Sequence, residues 1–174
     1  MNYLILSASL NPNSKSRELG YFAKTIFDER SENISFLDLK NIKLPFSGSP
    51  GCYEDKNSKL LSNAIKESDC ILICSPIYNY DLNSVIKNAL DLTGFCWENK
   101  IVSFLCVGGG QSSYMSPMSF INSLMLNCRS FIIPRYVYAT GSDFKDNKLS
   151  NSDVENRINE LVDTAISITR KLSQ

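Results

Sequence analysis

The run Cys70-Ile71-Leu72-Ile73-Cys74 is apolar at every position, and it decides the fold. A strand with one face in water alternates apolar and polar residues, so an unbroken apolar run predicts a strand buried on both faces. Other short, mostly apolar runs recur along the chain at 3–6, 34–37, 101–107 and 131–133. We therefore expect five strands with the 70–74 strand at the centre, and the pattern leaves open whether the last one continues past Pro134.

Segments with the apolar spacing of amphipathic helices separate these runs. They lie at 16–27, 57–68, 83–93, 113–128 and from 152 onward. Alternating strands and helices are typical of a parallel sheet covered on both faces. We predict an α/β, flavodoxin-like three-layer sandwich with a five-stranded parallel sheet of order 2-1-3-4-5, as a single domain over residues 1–174. This order suits the length better than the six-stranded Rossmann order, because five strand–helix units fill the chain.

The charge balance and the absence of histidine exclude several classes of function. The 174 residues include 18 Lys and Arg and 18 Asp and Glu, so the formal net charge is zero. Such a chain has no electrostatic attraction to nucleic acid or to an anionic membrane, and we expect neither as a partner. Without histidine there is no imidazole general base, no Ser-His-Asp triad and no histidine metal site, and no metal is expected.

The cysteines indicate a reducing environment. The chain has six of them, without CxxC spacing and mostly in apolar surroundings, which is typical of buried reduced thiols. The first apolar run is too short for a secretory signal, and no apolar stretch reaches the ~18 residues of a membrane-spanning helix. We therefore expect a cytoplasmic protein.

Three unusual loops follow the strands around the predicted switch in strand order, where open α/β sheets bind their ligands. The first, 7–16, is rich in hydroxyl and amide side chains and leads into a helix N-terminus, a combination that suits a phosphate group. It is neither a Walker A loop nor a GxGxxG loop. The alternative interpretation is an ordinary loop in which Ser14 or Ser16 caps the helix.

The second and third loops suit a flat ring. Residues 75–80 contain two tyrosines, which with backbone amides would fit a partly polar aromatic ligand, although they could instead pack over neighbouring helices. Residues 108–113 begin with three glycines, which allow a ligand to approach the backbone and permit a positive φ, although they could also form a loose turn.

These loops also carry a family resemblance that covers nearly the whole chain. Residues 8–19 (ASLNPNSKSREL) resemble the GSLRxxSxxRxL signature of the NAD(P)H-dependent FMN reductases. Residues 75–81 (SPIYNYD), continued by 85–91 (VIKNALD), are similar to the TPEYNxSxPxxLKNAIDW block of that family. The glycine loop corresponds to the loop that borders the flavin ring in that family.

The resemblance implies bound FMN, NADPH or NADH as co-substrate, and no catalytic side chain. The candidate FMN-binding residues are Ser9, Asn11, Ser14, Lys15, Ser16, Pro76, Ile77, Tyr78, Asn79, Tyr80, Gly108, Gly109, Gly110 and Gln111. Ser9, Ser14 and Ser16 would hold the phosphate with nearby amides, and Lys15 and helix N–H groups would compensate for the cation that is absent at Asn11. The next five would run along the ring and ribityl chain, and the last four would flank the other edge of the ring. Asn11 replaces the usual arginine and Ile77 the usual acidic residue of the family.

The implied activity is transfer of hydride from NAD(P)H through FMN to a small acceptor, such as a flavin, a quinone, an azo compound or a metal oxyanion. Two alternatives stay open: a flavodoxin-type electron carrier, which is usually acidic, and a flavin-binding regulatory module that has lost catalysis. The resemblance further implies a homodimer or homotetramer. Lys87 and Asp91 lie on the helix that commonly packs at a subunit interface in such proteins, so they are expected to be structural or interfacial and not catalytic. Exposed aromatics are expected to complete a neighbour's pocket, with simple surface or core packing as the alternative: Tyr53, Tyr80, Trp97 and Tyr114.

Overall fold

The computed structural model describes residues 1–172, in which strands and helices alternate as the sequence predicts. The strands are β1 (Asn2–Ser7), β2 (Asn33–Asp38), β3 (Cys70–Tyr78), β4 (Asp81–Leu82), β5 (Ile101–Gly108), β6 (Phe131–Ile132), β7 (Val137–Thr140), β8 (Phe144–Lys145) and β9 (Lys148–Leu149). The helices are α1 (Lys15–Glu29), α2 (Lys56–Glu67), α3 (Ser84–Thr93), α4 (Met118–Cys128) and α5 (Ser152–Leu172).

The sheet has the predicted flavodoxin-like order. β2, β1, β3 and β5 lie side by side and parallel, and both β6 and β7 then pair in parallel with β5. The predicted fifth strand therefore does continue past Pro134, but in two pieces. Proline lacks an N–H for the ladder, and Arg135 after it has a φ of 61°. These two residues open the edge of the sheet between β6 and β7.

Alternating side chains of the central strands feed two separate cores, one on each face. Leu4, Leu6, Ile71 and Ile73 pack against α2, α3 and α4. Tyr3, Ile5, Leu72 and Cys74 point to the opposite face and pack against α1 and α5. This is the burial on both faces that the unbroken apolar run at 70–74 predicts.

β3 is longer than predicted, and this is the main correction to the sequence analysis. The prediction placed a loop at 75–80, whereas the strand continues to Tyr78 and turns through Asn79 and Tyr80 into the short antiparallel β4. Ser7, at the end of β1, lies opposite Cys74. β3 therefore extends four residues, or roughly 13 Å, above the end of β1.

Two further expectations were wrong in detail. The helix expected from 113 begins at Met118, because the preceding segment folds back so that Tyr114 stacks on Tyr136 with ring centroids 5.0 Å apart. Trp97, expected to be exposed, has 0% exposure, and its indole N–H donates to the Thr93 hydroxyl at 2.7 Å. The 38–56 connection contains only a short helical turn at Leu39–Asn41.

Candidate functional site

The loop after β1 leads into α1 through a serine cap. Ser14 is the residue before the first turn, and its Oγ accepts the N–H of Arg17 at 3.2 Å and lies 3.0 Å from the Oγ of Ser16. The first N–H groups of a helix have no carbonyl partner within it, so they concentrate positive partial charge at its start. The structure confirms Ser14 as the helix cap, and capping does not exclude an anion, because a helix N-terminus still has other N–H groups to offer one.

Asn11 and Ser9 shape the loop from within. The carboxamide oxygen of Asn11 accepts the N–H of Asn13 at 2.9 Å, and the Oγ of buried Ser9 accepts the N–H of Asn11 at 3.3 Å. Asparagine commonly closes such a turn through its own side chain. Asn11 thus replaces the cation of the related signature with a residue that stabilises the turn.

Arg17 holds the same loop from the interior side. Its guanidinium donates to the carbonyl oxygens of Ser9 at 2.6 Å and Asn11 at 2.7 Å, and its Nε donates to the Asp38 carboxylate at 2.7 Å. The Arg17 and Asp38 side chains are only 7% and 9% exposed. These bonds fix the carbonyl groups of Ser9 and Asn11, and with them the shape of the loop that borders the cleft. Neither residue was among the predicted site residues, although Arg17 lies in the matched signature.

Asn83 ties the loop to the second site segment. Its side-chain amide donates to the carbonyl oxygen of Ala8 at 2.9 Å, while its Oδ1 caps α3 by accepting the N–H of Ile86 at 3.2 Å. Asn83 is buried, so both ends of its amide are satisfied inside the protein. The sequence analysis missed it, although an asparagine at a helix start is a usual capping signal.

A cleft of about 370 Å³ lies above this loop, at the carboxyl edge of the sheet. Seven predicted residues line it: Ser9, Asn11, Ser14, Lys15, Ser16, Pro76 and Tyr78. Three residues that were not predicted join them: Asn13, Val107 and Asn147. The extension of β3 forms one wall, because Pro76 and Tyr78 point to the same side of the strand. Ile77 points to the other side and is buried in the core, so its side chain is not part of the cleft.

Asn147 reaches the cleft through the β8–β9 hairpin, which is anchored on α1. Lys148 forms an ion pair with Glu18 at 2.9 Å, and the Lys15 ammonium donates to the carbonyl of Gly141 at 3.2 Å. The same ammonium lies 5.5 Å from the centre of the Phe144 ring. No local pattern could have predicted Asn147, because only the tertiary fold brings this hairpin to the cleft.

The turn after β3 adjoins the glycine loop. Asn79 and Tyr80 both have positive φ values, 50° and 62°, a conformation that tight hairpin turns require. Tyr80 is 67% exposed, and its hydroxyl lies 3.3 Å from that of Ser112. This contact joins the second and third predicted loops, and exposed Gly109, Gly110 and Gln111 lie beside it.

Gly108 is needed for close packing and not for an unusual backbone angle. None of Gly108, Gly109 and Gly110 has a positive φ. A Cβ atom on Gly108 would lie 1.8 Å from the Tyr138 hydroxyl oxygen, whereas one on Gly109 or Gly110 would meet no atom within 4 Å. Tyr138 donates to the carbonyl of Gly110 at 2.5 Å and shares a hydrogen bond of 2.5 Å with Ser113. Tyr138, which was not predicted, thus fixes the glycine loop.

The chemistry of the cleft lies in hydrogen-bond donors and not in a proton-transferring side chain. All six cysteines are free thiols, and burial raises the pKa of Cys70 to about 12 and that of Cys74 and Cys106 well above the usual range. Such thiols are unreactive at neutral pH. Besides Tyr78, the lining of the cleft contains one other ionisable side chain, the amine of Lys15.

These features fit FMN. A helix N-terminus with three serine hydroxyls and one lysine suits a phosphate dianion. The β3 extension, the exposed Tyr78 and Tyr80 and the glycine loop lie at the same edge of the sheet, at the ends of the neighbouring strands β3 and β5. In the lining of the cleft, hydrogen-bond donors outnumber charged side chains, so the arrangement suits a ligand that is held through backbone and hydroxyl contacts.

Comparison with known proteins gives a consistent result. The model of the NADPH-dependent FMN reductase family matches residues 1–145. An FMN-dependent NADPH-azoreductase of Staphylococcus saprophyticus is 26% identical over 181 residues, covering 98% of this chain and 96% of the relative. An NAD(P)H-dependent FAD/FMN reductase of Geobacillus thermodenitrificans is 26% identical over 133 residues, covering 74% of this chain and 71% of the relative.

Solved structures show the same fold. FerB, a flavoenzyme NAD(P)H:(acceptor) oxidoreductase from Paracoccus denitrificans, superimposes with a TM-score of 0.79 at 17% identity, covering 98% of this chain and 97% of the other. At this identity the likeness concerns the fold alone.

Proposed function

This chain belongs to the NADPH-dependent FMN reductase family, and from that premise we propose that the cleft above α1 is where it holds FMN. It is an FMN-dependent NAD(P)H oxidoreductase whose electron acceptors are small molecules. The observation that carries the proposed site is the position of the cleft, which lies between the start of α1 and the extension of β3. This is the carboxyl edge of the sheet, beside the switch in strand order.

The phosphate end would rest on the loop after β1. Ser9, Ser14 and Ser16 would donate hydroxyl hydrogen bonds, together with the first N–H groups of α1, and Asn11 would keep the turn closed. Lys15 would supply the positive charge, since the Arg17 guanidinium is already occupied by carbonyls and Asp38. Arg17 would act as a positioning residue.

The ring end would lie between the two other segments. Pro76, Ile77, Tyr78, Asn79 and Tyr80 would follow one side of the ring, with Ile77 contributing only its backbone. Gly108, Gly109, Gly110 and Gln111 would border the other edge. FMN, when bound, supplies two-electron transfer between NAD(P)H and the acceptor. Backbone N–H groups aimed at the ring would stabilise the negative charge that such transfer places on it.

The experiment that tests this function uses the purified protein saturated with FMN. We expect a yellow protein that oxidises NADPH or NADH when a quinone or an azo dye is added, as followed by loss of absorbance of the reduced nicotinamide. A protein that binds FMN and oxidises neither co-substrate would contradict the activity and favour an electron carrier or a regulatory module. A protein that stays colourless with excess FMN would contradict the site itself.

We also propose that the protein is cytoplasmic and forms a homodimer or a homotetramer. All six thiols are free, as in a reducing compartment. Near α3, an apolar groove of about 500 Å³ exposes Leu10 and Phe46, and Lys87 and Asp91 are exposed and paired with each other. Tyr53 and Tyr80 would complete the pocket of a neighbour, whereas Trp97 is buried and Tyr114 stacks on Tyr136 of its own chain. A monomer of 19.5 kDa in light scattering at micromolar concentration would contradict the assembly. No helix in residues 1–172 is long and apolar enough to cross a membrane.

A further inference from the structure

A second cavity, of about 380 Å³, opens on the edge of the sheet where β6 gives way to β7. Its walls include Arg135 from the break itself, Arg157 and Glu160 from α5, and Tyr114 and Tyr136. We call it the arginine cavity. It shares no lining residue with the proposed FMN cleft, and the proposed function assigns it no role. Its volume lies within the range of small-molecule sites, which begins at roughly 300 Å³.

The two arginines give the arginine cavity a positive charge. Among residues 1–172, none of the ion pairs includes Arg135, Arg157 or Glu160. Two guanidinium groups and one carboxylate line the cavity, and the Asp143 carboxylate interacts with Arg157 from outside the lining. Arg157 donates to the carbonyl of Tyr138 at 3.3 Å, which fixes its position while leaving other N–H groups free. Planar guanidinium groups with several free donors are well suited to phosphate.

A flat aromatic wall stands beside these charges. Tyr114 and Tyr136 stack at 5.0 Å with an interplanar angle of 20°, and the Tyr136 hydroxyl donates to the carbonyl of Tyr114. Burial raises the pKa of Tyr136 to about 12, so that hydroxyl keeps its proton at neutral pH. A rigid ring next to two guanidinium groups can take a planar base that carries a phosphate nearby.

The same residues connect the arginine cavity to the glycine loop. Tyr138, which donates to the Gly110 carbonyl, stands two residues along the chain from Tyr136, or roughly 7 Å in a strand. Tyr114 follows four residues after Gly110. A dinucleotide whose nicotinamide lay at the flavin ring would therefore pass over the glycine loop to reach the arginine cavity.

We propose that the arginine cavity binds the adenosine end of NADPH, with Arg135 and Arg157 on its 2′-phosphate, and so selects NADPH over NADH. This inference rests on the proposed function, because it names the preferred co-substrate of that activity. Tyr114 offers the face on which adenine lies. Glu160 disfavours a phosphate placed on its own side, which confines the anion to the side of the arginines.

The kinetic test compares two arginines that share a backbone conformation. Arg135 and Arg129 are both exposed with positive φ, 61° and 52°, and asparagine tolerates that conformation. For FMN-loaded Arg135→Asn we expect the KM for NADPH to rise about tenfold, the loss of one charge-assisted hydrogen bond, while the KM for NADH stays within about twofold. Arg129→Asn, which loses the same charge from a pair with Glu98, should leave both KM values unchanged.

A binding measurement tests the arginine cavity without requiring oxidation of NAD(P)H. In calorimetry, adenosine 2′,5′-bisphosphate should bind the wild-type protein at least about tenfold more tightly than ADP does, and Arg135→Asn should abolish the difference. Equal binding of the two nucleotides, no effect of Arg135→Asn, or an equal rise in both KM values would overturn the proposal. If the wild-type protein oxidises no NAD(P)H, the proposed function fails, and the calorimetric difference still decides whether the arginine cavity recognises the 2′-phosphate.

Discussion

Replacement of Arg17 by methionine should lower the free energy of unfolding by about 3–5 kcal/mol, because it leaves the buried Asp38 carboxylate without its partner. It should also remove most of the affinity for FMN. The carbonyl oxygens of Ser9 and Asn11 now accept from the guanidinium, and without it they must turn toward other donors. The loop would then lose the shape in which it borders the cleft.

Two measurements check this, urea unfolding of the apoprotein and quenching of FMN fluorescence on binding. Arg30→Met is the matched control, because Arg30 also forms an ion pair, with Asp163 at 2.6 Å, but on the surface. Such exposed pairs contribute about 1 kcal/mol or less, and Arg30 lies at the far end of α1 from the cleft. If Arg17→Met binds FMN as tightly as Arg30→Met does, the role assigned to Arg17 is wrong.

The second large effect is expected at the glycine loop. Gly108→Ala would place a Cβ atom 1.8 Å from the Tyr138 hydroxyl oxygen and 2.7 Å from its Cζ, so the ring or the end of β5 must move. We expect a loss of stability of about 1–3 kcal/mol, as for other overpacked sites. Displacement of Tyr138 would also free the carbonyl of Gly110 and loosen the loop that borders the ring.

Gly109→Ala provides the control, since the added methyl group meets no atom within 4 Å and the backbone angle there is ordinary. Thermal unfolding and FMN titration of both variants separate crowding from the general effect of losing a glycine. Equal behaviour of the two variants would show that Tyr138 does not set the position of the loop.

The sheet could be predicted because its signal is local. The unbroken apolar runs at 3–6 and 70–74 occupy strands buried on both faces, and the strand order follows from the number of strand–helix units. The end of β3 could not be predicted in the same way. Pro76 suggests a loop, yet in the structure this segment continues the sheet beside Val107 of β5.

The residues of the cleft likewise fall into two groups, those that a local sequence pattern predicts and those that it does not. Its serines and tyrosines lie in segments that a strand-end argument identifies, and seven of the predicted residues line it. Most of the residues that were missed act from a distance in sequence, whereas Arg17 lies close to the loop that it supports. Arg17 and Asp38 support the loop from the interior, Tyr138 holds the glycine loop across the sheet edge, and Asn147 arrives on a hairpin. Their roles depend on packing between segments, which the spacing of apolar residues along the chain does not predict.

Parallel titration of the apoprotein with FMN and with riboflavin tests the central claim most directly, because the two ligands differ only in the phosphate. If the loop after β1 and the start of α1 hold that phosphate, two charge-assisted hydrogen bonds alone predict that FMN binds at least about 100-fold more tightly. Equal dissociation constants for the two flavins would contradict the account, since the hydroxyls and amides gathered at Ser9, Ser14 and Ser16 would then have no anion to bind.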